Sequence, residues 1–171
     1  GGWLLFTYAA MQFLFAPVIG GLSDRFGRRP LLLGTLALLG VDYALMAAAP
    51  SITWLFVGRL VSGIMGASYA AANSCIADSI PPERRGAAFG MLGGAGAAGF
   101  VLGPAIGGLI GQFGDRLPFI AAAVLCTLGV LFGLANLQET LDPARRRRFD
   151  PFRSNPFGTL ARMARIPLVI G

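Results

Sequence analysis

The sequence comprises 171 residues, of which 55% are apolar and 13% charged, with 25 glycines and no histidine. This composition is too apolar for a soluble domain of this length, so that class of protein is excluded. The basic residues are all arginines, 14 against eight acids, which gives a formal net charge of +6. We therefore expect an all-α polytopic membrane protein.

Five apolar segments are each about 20 residues long, the length that an α-helix needs to cross about 30 Å of hydrocarbon. They are residues 2–22, 30–49, 53–77, 87–112 and 117–137. The first is interpreted as a retained helix and not as a signal peptide, because it lacks a basic start and a small-residue cleavage site. Residues 138–165 are predicted to form a polar, basic loop, and residues 166–171 begin another apolar segment.

Three arginine-rich loops alternate with two loops that carry almost no net charge. They hold Arg25, Arg28 and Arg29 after the first segment, Arg84 and Arg85 after the third, and seven arginines between residues 145 and 165. The positive-inside rule places these three loops in the cytoplasm. The last of them could attract nucleic acid by charge alone, but its position after a membrane segment favours contact with anionic lipid head groups.

One phrase occurs twice, as PVIGGLSDRFGRR at residues 17–29 and PAIGGLIGQFGDR at residues 104–116, with eight of thirteen positions identical. Three predicted crossings separate the two copies, so the first ends in the cytoplasm and the second outside. This arrangement is typical of an inverted-topology repeat and favours a transporter over a passive anchor. The alternative is a chance recurrence of Pro and Gly, which are common in membrane helices.

Three stretches of the sequence resemble signatures of the major facilitator superfamily. Residues 20–29, GGLSDRFGRR, closely resemble its loop between the second and third helices, and residues 55–67, LFVGRLVSGIMGA, resemble its fourth-helix signature. A set of residues in the fourth apolar segment matches its fifth-helix signature, associated with drug/proton antiporters. This set is Gly90, Gly99, Gly103, Pro104, Gly107 and Gly108.

Further segments, YAAMQFLFAP, VDYALMAAAP and PFIAAAVLCTLGVLFGL, look most like the tetracycline-efflux branch of these antiporters. The resemblance implies the major facilitator fold, with helices two to six of twelve, the central loop and the start of helix seven. The partners it implies are a small-molecule drug, the proton, the lipid bilayer, and the first helix and C-terminal half of the same transporter. It also implies a bacterial inner membrane.

The resemblance implies a conformational latch in the loop after the first segment, in which Asp24 and Arg28 hold the cytoplasmic side closed in one state. We call the matching positions the latch residues. They are Gly20, Asp24, Arg25, Gly27, Arg28 and Arg29. The alternative is an ordinary surface charge pair, which contributes about 0–1 kcal/mol to stability.

Asp42 lies near the middle of the second apolar segment, and Arg59 enters the third from its outer end. A charge at such depth costs from ~3 to more than 10 kcal/mol unless it is paired or hydrated. We expect both to face the bundle interior and hypothesise that they couple proton and substrate movement. A purely structural ion pair is the alternative.

Two pairs of polar residues recur at helical spacing, Tyr8 with Gln12 and Tyr69 with Asn73. Each pair lies on one helix face, which could line a cavity for an amphipathic ligand. The alternative is hydrogen bonding between helices, because Asn and Gln also hold membrane helices together.

Glycines repeat every four residues from Gly99 to Gly111, a pattern that lets another helix approach closely. Pro104 within it bends or loosens the helix. The resemblance implies that this bent, closely packed helix also limits leakage across the membrane. Residues 94–99 also spell G-x-G-x-x-G, but no strand is predicted before them and they lie inside a membrane-length apolar segment, so dinucleotide binding is rejected.

The sequence favours a carrier over an enzyme, because it has no histidine, no phosphate-binding loop and no nucleophile beside a base. Cys75 and Cys126 lie inside apolar segments without ligand spacing, so neither a metal nor another cofactor is expected. We expect a secondary transporter that exports an amphipathic drug in exchange for protons by alternating access. The alternatives are a sugar or metabolite facilitator of the same superfamily and a non-transporting fragment or scaffold.

Overall fold

The computed structural model describes residues 2–142, 144 and 146. These residues form six α-helices and contain no strand, which confirms the all-α prediction. The helices are α1 (Gly2–Phe26), α2 (Arg28–Ala47), α3 (Ile52–Gly66), α4 (Tyr69–Ser79), α5 (Pro82–Gly111) and α6 (Leu117–Asn136). Most of the predicted loop at residues 138–165, and all of residues 166–171, lie outside the described residues.

Five stretches of helix are long and apolar enough to cross a membrane, and one of them, Thr53–Ser79, combines α3 with α4. The junction between these two helices is a tightened turn and not a reversal of the chain. Ser68 N–H donates to the carbonyl of Met65, and Ala70 N–H donates to that of Ala67, so the hydrogen bonds reach back three residues as in a 3₁₀-helix. The carbonyl of Gly66 is thereby left free for a partner outside its own helix.

The bundle is built on glycines that let helices approach closely. A Cβ atom on Gly63 of α3 would lie 2.7 Å from the Tyr8 carbonyl oxygen of α1, and one on Gly133 of α6 would lie 2.6 Å from Leu33 Cδ2 of α2. Both are closer than a real Cβ can come. In a lipid solvent, helices gain little from burying apolar surface against each other, so close packing at small residues stabilises their association.

Burial in this fold is reversed with respect to a soluble domain. Many large apolar side chains are exposed, whereas several buried positions are polar, namely Ser23, Arg28, Thr35, Asp42 and Ser62. Leu, Phe and Val side chains on the outside suit contact with lipid, and polar groups inside must find partners within the protein.

Helix α5 has no buried residue and mainly contacts α4 and α6, its neighbours along the chain. It begins at Pro82, five residues before the predicted membrane segment at residue 87. Pro is tolerated at the first helical position, because the N–H group that it lacks would have no acceptor within the helix there. Glu83 in the first turn also suits the positive end of the helix dipole.

The repeated phrase spans a helix end in both copies, but the break is one residue, Gly27, in the first copy and five residues, 112–116, in the second. Pro17 lies inside α1 and Pro104 inside α5, and each helix is followed by a turn that contains a glycine with positive φ, Gly27 in the first copy and Gly114 in the second. A second helix then begins in both cases. The repeated residues therefore encode a common unit of helix, glycine turn and helix.

The close approach of α1 and α3 predicts that Gly63→Ala destabilises the protein, because the new methyl group meets backbone and cannot move aside. We expect a loss of about 1–3 kcal/mol, typical of overpacking. Gly34→Ala on α2 is the matched control, because nothing lies within 4 Å of its added Cβ. The control should be neutral or stabilise by up to ~1 kcal/mol through helix propensity. Thermal denaturation in detergent would test this, and equal midpoints for the two variants would contradict it.

Candidate functional site

The turn between α1 and α2 depends on Gly27, which has φ 109°. This backbone conformation is accessible to glycine but strained for residues with a side chain. Gly27 N–H donates to the Ser23 carbonyl at 3.0 Å and closes α1, and the next residue, Arg28, is already the first of α2. The turn therefore places Arg28 next to the last turn of α1.

The guanidinium of Arg28 connects three helices. Its Nη1 donates to Asp24 Oδ1 at 2.6 Å and to Ser23 Oγ at 3.0 Å on α1, and its Nε donates to Asp78 Oδ2 at 3.1 Å on α4. The Arg28 side chain is only 9% exposed, whereas the side chains of Asp24 and Asp78 are 41% and 32% exposed. Hydrogen bonds between ionised groups are stronger than neutral ones, but water screens the two carboxylates here. The result is a network and not an isolated surface pair.

The remaining latch residues do not join this network. The guanidinium of Arg25 lies 5.1 Å from the centre of the Phe26 ring and the residue is exposed. Arg29 Nη2 donates to the Leu134 carbonyl of α6 at 2.9 Å, while its Nε is buried without a partner among the described residues. Gly20 has open space around its Cα. Of the six latch residues, the structure brings Asp24, Gly27 and Arg28 together.

Two acidic residues at this site were missed in the sequence. Asp78 precedes the second arginine-rich loop, which holds Arg84 and Arg85, and Glu139 lies in the QETLD stretch after α6. Glu139 Oε1 accepts the backbone N–H of Arg28 at 2.9 Å and that of Leu141 at 3.0 Å. An acid next to a basic loop is too common to be a signal, and both contacts join residues more than 45 positions apart.

The pKa of Glu139 is lowered from its ordinary value. Partial burial acts in the opposite direction and raises the pKa, but hydrogen bonds from the backbone N–H groups of Leu141, Arg28 and Thr140, together with the charge of Arg146, outweigh it. Each of these groups favours the ionised carboxylate. Glu139 is therefore held as an anion at the start of α2.

Asp42 and Arg59 form no ion pair within 4.0 Å in the described part of the chain. Asp42 is only 5% exposed, and its Oδ2 has no hydrogen-bond partner among the described residues. Its Oδ1 lies 3.3 Å from where a Cβ of Gly58 would be, directly before Arg59 in α3. The carboxyl group thus occupies the α2–α3 contact.

A cavity of about 230 Å³ opens beside Asp42 between α2 and α3. Its wall is otherwise apolar and includes Met46, Trp54 and Val57. A pocket with apolar walls and one polar group has the general character of a small-molecule site. The sequence did not predict this cavity, because its residues come from two helices.

Tyr8 and Gln12 lie against the α3–α4 junction. Gln12 Nε2 donates to the free carbonyl of Gly66 at 3.3 Å, and the Tyr8 hydroxyl lies against the same glycine. Asn73 Nδ2 donates to the carbonyl of Tyr69 within α4 at 3.0 Å, and Tyr69 is exposed. The Gln12 contact is the hydrogen bond between helices that was the alternative to cavity lining.

The antiporter glycines on α5 have no close neighbour among the described residues. A Cβ atom on any member of this set would meet nothing within 4 Å. The set comprises Gly90, Gly99, Gly103, Gly107 and Gly108. The predicted close packing of this face, around Pro104, therefore requires a partner other than α1–α4 and α6.

Comparisons with known proteins agree with this architecture. Residues 1–170 match the family model of the Major Facilitator Superfamily. The chain is 47% identical over 157 residues to the class C tetracycline resistance protein of Escherichia coli, which covers 90% of this chain and 40% of that protein. It is 49% identical over 139 residues to the class G protein of Vibrio anguillarum, covering 81% of this chain and 35% of that protein.

Among solved structures, the human organic anion transporter MFSD10 is similar, with a TM-score of 0.77 and 30% identity. The similarity covers 85% of this chain and 34% of that one. The chain therefore spans well under half the length of each of these relatives.

The lowered pKa of Glu139 predicts a pH dependence for its contribution to stability. Because ionisation is favoured in the folded state, the contribution is complete above the ordinary pKa of 4.5 and is lost as the pH falls through the lower folded value. We expect the difference in thermal midpoint between wild type and Glu139→Gln to stay constant from neutral pH to roughly pH 5, and to shrink only below that.

Asp142→Asn is the matched control, because the Asp142 carboxylate accepts, among the described residues, only the N–H of Ala144, two residues further on. A difference for Glu139→Gln that changes between pH 5 and pH 7 would contradict the assignment.

Proposed function

Because the chain belongs to the major facilitator superfamily, we propose that it forms part of a proton-coupled exporter of tetracycline-like, amphipathic compounds that works by alternating access. The superfamily consists of membrane carriers, and this chain is accordingly part of a multi-pass membrane protein. The single observation that carries the proposal is the 47–49% identity to two tetracycline resistance proteins, over most of this chain. The arginine-rich loops face the cytoplasm in this proposal.

The Arg28 network supports a latch on the cytoplasmic side. It joins α1, α2 and α4 through one guanidinium, so separating these helices breaks all of its hydrogen bonds together. Partly exposed ion pairs contribute about 0.2–1 kcal/mol each and charge-assisted hydrogen bonds about 1.5–3 kcal/mol. A network worth a few kcal/mol can favour one conformation without trapping the protein in it.

Asp42 is the proposed proton-coupling residue. Its buried carboxyl group has one oxygen without a partner among the described residues, and it lies at the α2–α3 contact beside a cavity. Protonation removes the cost of holding a charge at that depth, so the protonation state of Asp42 favours different positions of α2 and α3. Arg59, one residue beyond Gly58, supplies the opposing charge when the helices move.

Tyr8, Gln12, Tyr69 and Asn73 remain candidates for the drug cavity. Gln12 would both line the cavity and join helices, because its hydrogen bond to the Gly66 carbonyl holds α1 against the α3–α4 junction. The antiporter glycines of α5 would pack against the first helix or the C-terminal half of the transporter, and so limit leakage.

A second candidate, a carrier of small organic anions or other metabolites, is favoured by the likeness to MFSD10. The two candidates differ in the compound carried and share the fold. A third candidate is a membrane scaffold without transport, since the chain covers 40% or less of the length of the two tetracycline resistance proteins.

The export proposal predicts proton-driven uptake of tetracycline into everted membrane vesicles that contain the full-length protein. We expect Asp42→Asn to lower the uptake by about tenfold or more, because the coupling charge is lost. Asp115→Asn is the matched control, because Asp115 is exposed in the α5–α6 turn and should leave uptake unchanged. Normal uptake in Asp42→Asn would support a structural carboxyl group, and uptake of organic anions but not tetracycline would support the second candidate.

The latch proposal predicts different outcomes for two neighbouring arginines. Arg28→Gln should lower the turnover of tetracycline in the same vesicles several-fold, because it releases Asp24, Asp78 and Ser23 together. Arg25→Gln removes the same charge from the same loop but breaks none of these contacts, so we expect turnover close to that of wild type. Equal losses in both variants would indicate that the loop acts only through its net charge.

A further inference from the structure

Helix α2 begins without any capping group of its own. Its N-cap is Gly27, which has no side chain, and its first turn contains two arginines and no acid. The first N–H groups of a helix need acceptors, and positive charge close to them opposes the helix dipole. The start of α2 is therefore unfavourable unless another part of the chain supplies an acceptor for these N–H groups.

Glu139 is that acceptor. Its Oε1 accepts the N–H of Arg28 at 2.9 Å, from a position 111 residues later in the chain. Its carboxylate also occupies the space that a Cβ of Gly27 would fill. Gly27 is therefore required for two reasons, since its positive φ forms the turn and its missing side chain admits the carboxylate.

The residues around Glu139 hold this carboxylate against the latch. We call residues 137–141 the α6 extension. The N–H of Leu141 donates to the same Oε1 at 3.0 Å, and Leu141 itself is buried, with 7% exposed. Thr140 Oγ1 contacts Cys75 Sγ of α4 at 3.5 Å. The extension thus contacts α2 and α4, which carry Arg28 and its partner Asp78.

We propose that Glu139 is a positioning residue of the latch, which caps α2 from the α6 extension and so holds Arg28 where its side chain reaches both Asp24 and Asp78. This inference rests on the proposed latch function. It follows that the latch includes the beginning of the central loop, and that displacing this loop from α2 releases the Arg28 backbone.

The test uses the full-length transporter with two readouts. Amide hydrogen exchange of the peptide that contains Gly27 and Arg28 reports the cap without requiring transport. Tetracycline uptake into everted vesicles, analysed as turnover and KM separately, reports the latch. In Glu139→Ala, we expect exchange at the start of α2 to be about three- to tenfold faster, as for loss of an N-cap. Turnover should fall several-fold, while KM stays within about twofold because the drug cavity is untouched.

Glu139→Gln should restore both properties largely to wild-type levels, because its amide oxygen can accept the same two N–H groups. Asp142→Ala is the matched control, since it removes a carboxylate three residues away that forms no hydrogen bond with α2 in the described part of the chain, and both readouts should stay at wild-type values. If Glu139→Ala does not accumulate in membranes, Glu139→Ser carries the same expectation, because its side chain is too short to reach Arg28.

The outcomes separate the cap from the transport proposal. Unchanged exchange in Glu139→Ala, or faster exchange with normal turnover, would overturn the positioning role. So would a Glu139→Gln variant as impaired as Glu139→Ala. Effects of Glu139→Ala and Arg28→Gln on turnover that add in the double variant would also overturn it, because residues that act through one network are not additive. Absence of tetracycline transport in the wild type would instead overturn the proposed function, while the exchange readout would still decide the cap.

Discussion

The arrangement of the ends of α1, α2 and α4 depends on the hydrogen bonds of the Arg28 guanidinium. It hydrogen-bonds to Ser23 and Asp24 on α1 and to Asp78 on α4, and its own helix begins at that residue. A buried arginine requires partners for its donors, because leaving a charge unpaired in a poorly solvated place costs several kcal/mol. The ends of α1 and α4 must therefore lie close to the start of α2 whenever this network is intact.

Close packing at glycines holds α1, one of the helices in the Arg28 network, against α3. Tyr8 of α1 lies against Gly63 and Gly66, and the Gly66 carbonyl released by the α3–α4 junction accepts the amide of Gln12. A polar group that loses its partner within a helix must find another inside the bundle, since lipid offers none. The turn between α3 and α4 and the Gln12 side chain opposite it thus both reflect the requirement that the Gly66 carbonyl have a hydrogen-bond donor.

The fold was largely predictable from the sequence, whereas the site was predictable only in part. Segment length and hydropathy indicated the helices, and residues 20–29 with the α5 glycines indicated the superfamily, to which the chain does belong. Asp24 and Arg28, four residues apart, were recognised as a pair. Asp78 and Glu139 were not, because they approach Arg28 only after four helix ends have been brought together. No local pattern distinguishes them from other acids near basic loops.

The sequence by itself determined that the chain crosses a membrane, and that a glycine and two arginines follow its first helix. These are properties of segment length, of residue solubility in hydrocarbon and of backbone freedom at Gly27, all of which are local. Only the tertiary structure decided that Asp78 and Glu139 join Asp24 around Arg28 and that Arg25 stays apart. Arg25 and Arg28 carry the same charge in the same loop, yet Arg25 lies over Phe26 and Arg28 points between α1 and α4. The difference arises from helix packing and from the carboxylate of Glu139, which contacts the Arg28 backbone from the far end of α6.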